Sequence, residues 1–147
     1  MNVNKLADHI LAFASNNENQ ITNLQLHKTL FFTIGFGIRN KIKPIDEIKK
    51  NYNNEFSRWR YGPVVPELYH RYNHYGYQPI KDKGKYYNEL EEFDPIIKKL
   101  LDVDVYNMVA VSHEMESWKT YEEDILNKNY VPRYEFWEIE RDFINAQ

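Results

Sequence analysis

From Asn23 to about Arg39 the chain places Leu26, Leu30, Phe31, Ile34 and Ile38 at helical spacing, and Phe32 and Phe36 widen that stripe beyond one face. A helix that is apolar on more than one side must be surrounded, so this segment predicts a central helix with the rest of the chain packed around it. Its start is marked as well. Thr22 with Gln25 matches a capping box, and Ile21 with Leu26 has the spacing of a hydrophobic staple.

A chain of 147 residues, 42% hydrophobic and 28% charged, is long enough to bury one sizeable core, which predicts a single domain over residues 1–147. It contains no Cys, which excludes disulfide scaffolds, cysteine zinc sites, iron–sulfur clusters and thiol nucleophiles. Asp8 and His9 interrupt the apolar periodicity of the N-terminus, so it lacks a signal-peptide block. No run approaches the roughly 18 apolar residues of a membrane span. These features predict a cytoplasmic protein with no membrane partner.

Other helices can be placed by pattern. Val3, Leu6, Ala7, Ile10, Leu11 and Ala14 form a first amphipathic helix that ends in the polar run 15–20. A short helix is expected around Ile45–Lys50. Phe56–Tyr61 alternates like a strand and runs into Gly62-Pro63, which reads as a turn, after which Pro66 opens a helix that stops at Gly76. Residues 77–88 read as an exposed loop or short hairpin in which function could reside. Asp94-Pro95 opens another helix. Helical patterns follow at Val105–Ser112 and from Trp118, and Phe136, Ile139 and Phe143 mark the last. The expected fold is mainly α: a bundle of about six to seven helices, with room for one small two-stranded β element.

Few residues suggest catalysis. His70 and His74 lie four apart, with Glu67 near them, but no zincin pattern joins them, so no metal site is assigned. Ser112-His113 is an adjacency, whereas nucleophile and base meet in space; a helix end is the simpler reading. Gly35-x-Gly37 lacks the third glycine and the strand of a phosphate cradle and suits close helix packing. No cofactor is implied, and an enzyme is not the expected class.

The aromatic content is more informative. Twelve Tyr, 8 Phe and 3 Trp exceed what a core of this size requires, and tyrosines in partly exposed positions build recognition surfaces. Arg58, Trp59, Arg60 and Tyr61 concentrate the residue types enriched at interface hot spots; alternatively, Trp59 and Tyr61 anchor the core and the arginines pair with acids further along. Residues 1–87 carry 13 Lys and Arg against 7 Asp and Glu, and residues 88–147 carry 6 against 15. Either the two halves attract one another within the fold, or each presents a charged face to a partner.

The run Trp59-Arg-Tyr-Gly-Pro-Val-Val-Pro-Glu-Leu-Tyr-His-Arg-Tyr72 resembles the Panacea, or SocA-like, antitoxin domain of phage-associated proteins. Ile21–Phe32 is similar to that family's Leu-rich second helix, and Ser112–Trp118 to its later His and Trp segment. The family commonly has Pro where this chain has Ser117. The resemblance implies a helical antitoxin that neutralises a cognate toxin, encoded by an adjacent gene, through direct protein binding. Family members accompany many unrelated toxins, so the resemblance does not name this one. The motif positions carried over are Trp59, Tyr61, Gly62, Pro63, Val64, Pro66, Tyr69, His113 and Trp118. With Arg58 and Arg60 they form the expected partner-binding set. The alternatives are a nucleic-acid-binding autoregulator, suggested by the basic first half, and a phage factor that binds a host defence protein or delivers a partner to a protease.

Overall fold

The computed structural model describes residues 2–145. Its first helix, α1 (Val3–Asn16), is capped by Asn2, whose side chain accepts from the Lys5 amide. The second, α2 (Asn23–Arg39), begins at Thr22, whose hydroxyl accepts from the Gln25 amide at 3.2 Å. Gln25 does not complete the reciprocal box; its side-chain amide reaches Leu101 O at 3.4 Å. There follow α3 (Ile45–Lys50), the antiparallel pair β1 (Ser57–Trp59) and β2 (Gly62–Val64), and α4 (Pro66–Arg71). After a 3-10 stretch at Asn88–Phe93 come α5 (Asp94–Leu101), α6 (Val105–Glu114), α7 (Glu116–Lys119), α8 (Glu122–Leu126) and α9 (Phe136–Ile144).

The fold is mainly α with one two-stranded sheet, and α2 is its axis, packed against α1, α5, α6, α9 and the hairpin. Nine helices are present among the described residues, because the expected run from Val105 to Leu126 is divided in three. Met115 adopts an extended conformation and Tyr121 leaves the helical region, so α6, α7 and α8 change direction at each. Most of the buried apolar side chains form one connected cluster running from Val3 to Phe143. Among the described residues no helix is long and apolar enough to cross a membrane.

Both glycines of Gly35-x-Gly37 serve close packing. A Cβ on Gly35 would lie 2.2 Å from the Phe143 ring of α9, and one on Gly37 would lie 2.6 Å from the Phe93 ring. No larger residue fits either position without displacing an aromatic side chain.

Two expectations are corrected. Gly62-Pro63 is not the turn: it lies in β2, and Arg60-Tyr61 makes the reversal. The helix from Pro66 ends at Arg71 and passes through a 3-10 turn, Asn73–Tyr75, to Gly76, so His70 and His74 do not share a continuous helix. Among the described residues no three His, Asp or Glu side chains group closely enough to hold a metal.

Residues 77–87 form no strand and lie as a strap. Ile80 N bonds Ile21 O at 2.8 Å and Lys85 N bonds Asp8 O at 3.1 Å. Buried His9 closes the strap: its Nδ1 accepts from Tyr87 N at 3.0 Å, which leaves Nε2 as the donor to Asp94 Oδ1 at 2.7 Å. Lys5–Glu89, Lys43–Glu92 and Arg58–Glu138 join the basic first half to the acidic second, so part of the charge asymmetry is neutralised inside the fold.

Candidate functional site

The hairpin is too short to be stable alone, with three residues per strand paired Ser57 to Val64, Arg58 to Pro63 and Trp59 to Gly62. Side chains from the surrounding helices hold its backbone. Trp118 Nε1 donates to Trp59 O at 2.9 Å, and His113 Nε2 lies 2.8 Å from Arg60 O, so the turn is gripped from α6 and α7. The His113 and Trp118 rings stack at 3.8 Å, each fixing the other's orientation. The expected Trp59, His113 and Trp118 positions therefore do converge, but the last two act on backbone.

From beneath, α2 contributes Lys28, whose ammonium is fully enclosed and donates to Pro63 O at 2.7 Å. Burial with no facing carboxylate pushes its amine down to about 7. Neighbouring His27 faces two carbonyls, Asn23 O at 2.8 Å from Nδ1 and Val65 O at 3.2 Å from Nε2. Burial depresses its pKa to about 4, and a neutral ring donates to only one of the two. Gly62 sits over this layer with φ of +100°, a region that favours glycine; a Cβ there would lie 2.6 Å from Ser112 Oγ. The Ser112 hydroxyl is buried and donates to Val109 O at 2.7 Å.

Arg58, expected on the partner surface, is an interior residue. Its Nε donates to Ser117 O at 2.7 Å, its Nη1 to Pro132 O at 2.5 Å, and its Nη2 pairs with Glu138. The guanidinium lies 4.4 Å from the centres of both the Tyr121 and Tyr134 rings. It fastens the hairpin to α7 and α9 and leaves nothing for a partner. Ser117 adds to the same knot, its hydroxyl accepting from Arg141 Nη2 at 2.9 Å and facing Glu138 O at 3.3 Å. A proline, which the resembling family commonly has here, could make neither contact. The position lies in the first turn of α7, where proline is otherwise tolerated.

Gly62, Pro63, Val64 and Trp118 are also buried, and Pro66 is partly so. What reaches the surface is Arg60, Tyr61 and one side of Trp59 and Tyr69. These two rings meet edge-on at 5.1 Å and form one wall of a groove of about 630 Å³. Tyr77 and Tyr106, 94% and 65% exposed, form the other side, with Tyr61 at 57% beside the turn. Among the described residues no charged side chain lines it. Among the described residues Trp59 Nε1 and the hydroxyls of Tyr61, Tyr69, Tyr77 and Tyr106 make no hydrogen bond. Asn23, on the floor, donates to Tyr69 O at 3.0 Å while its Oδ1 is buried without a partner.

Tyr77 and Tyr106 escape residue-level assignment from sequence, because they lie some 30 residues apart on unrelated elements. The available signal is the tyrosine surplus itself. Lys28 and His27, for which the sequence pattern gives no role, are enclosed. The chain matches no family model, no curated protein and no solved structure.

Proposed function

We propose that this chain is a cytoplasmic antitoxin that neutralises a protein toxin by direct binding through the groove beside the hairpin, without catalysis or cofactor. The observation that carries the reading is the groove itself: five aromatic side chains converge there, and among the described residues none of their polar tips has a partner. Rigid rings with free donors suit protein recognition, because they bury large area while losing little side-chain entropy. The surrounding bonds support it further, since a preorganised hairpin does not have to be ordered on binding. The resemblance of residues 59–72, 21–32 and 112–118 to the Panacea domain supplies the antitoxin class. Within that resemblance, Trp59, Tyr61 and Tyr69 are assigned to contact, and Gly62, Pro63, Val64, Pro66, His113 and Trp118 to shaping the hairpin.

Co-expression with the products of the neighbouring genes tests this. The expected result is a near-stoichiometric complex with a small protein that is lethal when expressed alone, and loss of rescue in the Tyr77→Ala/Tyr106→Ala double variant. A lethal neighbour that neither copurifies nor is neutralised would contradict the proposal.

A further inference from the structure

The groove does not end at Tyr77. The bend at residues 73–78 gives Asn73, Gly76 and Tyr77 to it, and gives His74, Tyr75 and Gln78 to a second concavity of about 610 Å³ on the other side. Residues 19–24 are shared in the same way, Ile21 facing the second concavity and Thr22 to Leu24 the first. The two are thus neighbours across one low ridge. They differ in charge. Among the described residues the groove has no charged lining, whereas the second cleft is edged by Lys81 and Lys83 with Asp82 between them, and neither lysine forms an ion pair. From Leu68 to Tyr87 the chain carries four Lys and Arg, against the single carboxylate of Asp82.

Resting on the reading of the groove as a protein-binding site, we infer that groove and cleft together take one extended peptide segment of the partner. In that segment, apolar or aromatic residues fill the groove and acidic residues follow them into the cleft. The separation of functions selects a peptide over single-stranded nucleic acid. A nucleic acid places a phosphate beside every base, so stacking bases in the groove would lay phosphates along walls that hold no cation. Asp102 and Asp104, just before the wall residue Val105, would repel them further. In a peptide the apolar and anionic parts can be segregated as they are here. The free indole N–H of Trp59 and the tyrosine hydroxyls are placed to donate to peptide carbonyls, and Asn23 Oδ1 is the buried acceptor still lacking a donor.

Selection of random phage-displayed dodecapeptides on the full-length protein tests the inference. Synthetic versions of the enriched peptides are then measured by fluorescence anisotropy, with an oligothymidine of similar length as the competing probe. The expected enriched peptides carry Trp, Tyr, Phe, Leu or Pro next to a run of Asp or Glu. Their affinity should fall about tenfold or more in Tyr77→Ala/Tyr106→Ala, and roughly threefold to tenfold in Lys81→Glu/Lys83→Glu. Selection on the latter variant should invert the tail to Lys and Arg. Failure to enrich any peptide, enrichment of basic or uncharged tails, or tighter binding of the oligothymidine would each overturn it. A neighbour-gene toxin that still copurifies while the selection fails would overturn this inference alone; a selection that succeeds where no toxin binds would overturn the antitoxin reading alone.

Discussion

Around Phe31 and around Trp59 the chain builds two aromatic clusters from the same kinds of side chain, one closed and one open. Phe31 meets Phe56, Tyr134, Phe143 and Phe32 at 5.2 to 5.8 Å, mostly edge-on or tilted, and all five are buried. The neighbouring Tyr52 hydroxyl donates to Tyr134 O at 2.7 Å, so its polar tip is also used within the chain. The Trp59 cluster is built from the same kinds of ring, yet Tyr61, Tyr77 and Tyr106 remain exposed, their hydroxyls without a partner among the described residues. What separates a core from a recognition surface here is therefore whether a covering element arrives, not residue type. Helix α9 covers the first cluster. The second is bordered by the turn at Arg60-Tyr61, the bend near Gly76 and the starts of α2 and α6, and Tyr61, Tyr77 and Tyr106 stay exposed there.

Substitutions should separate the two clusters sharply. Phe31→Ala should cost about 3–5 kcal/mol in urea unfolding, because four rings lose a shared neighbour. Arg58→Met should cost about as much, by leaving the Glu138 carboxylate without its counter-ion in a largely buried site, and Glu138→Leu added to it should recover part of the loss, the Glu135 amide losing its acceptor in exchange. An additive double variant would show that the pair is not coupled. Gly35→Val, which drives a side chain into the Phe143 ring, should destabilise by about 1–3 kcal/mol.

Lys28 gives a pH signature. Its amine titrates near 7 when folded and near the usual 10.5 when unfolded, so between these values the unfolded chain binds the extra proton. Stability should therefore rise with pH across that window, by up to about 1.4 kcal/mol per pH unit, and this group should contribute no slope below it. Lys28→Met should flatten the rise; an equally steep curve in the variant would contradict the assignment. In the open cluster, Tyr77→Ala or Tyr106→Ala should change stability by no more than about 0.5 kcal/mol.

The architecture was legible where local pattern and packing agree. The apolar width of Asn23 to Arg39 announced a surrounded helix, Pro66 and Asp94-Pro95 marked starts that the structure keeps, and Gly35-x-Gly37 announced close packing. The site was legible only in part. Trp59, Tyr61 and Tyr69 stand together at the groove, but Arg58 is spent internally, because Glu138 lies 80 residues away and no local pattern reveals that pairing. Lys28 is hidden for the same reason: its acceptor is the backbone of a hairpin 35 residues on, and a backbone carbonyl leaves no trace in side-chain spacing. Tyr77 and Tyr106, on unrelated elements, come to line one groove only through the tertiary fold.

The open cluster is the central claim, and the most direct measurement pairs thermal unfolding with toxin rescue for the Tyr77→Ala/Tyr106→Ala double variant. The account predicts a melting temperature within about 2 °C of the parent, together with loss of complex and of rescue. A variant that melts well below the parent yet still binds and neutralises would contradict it, placing these tyrosines in the core and the docking surface elsewhere.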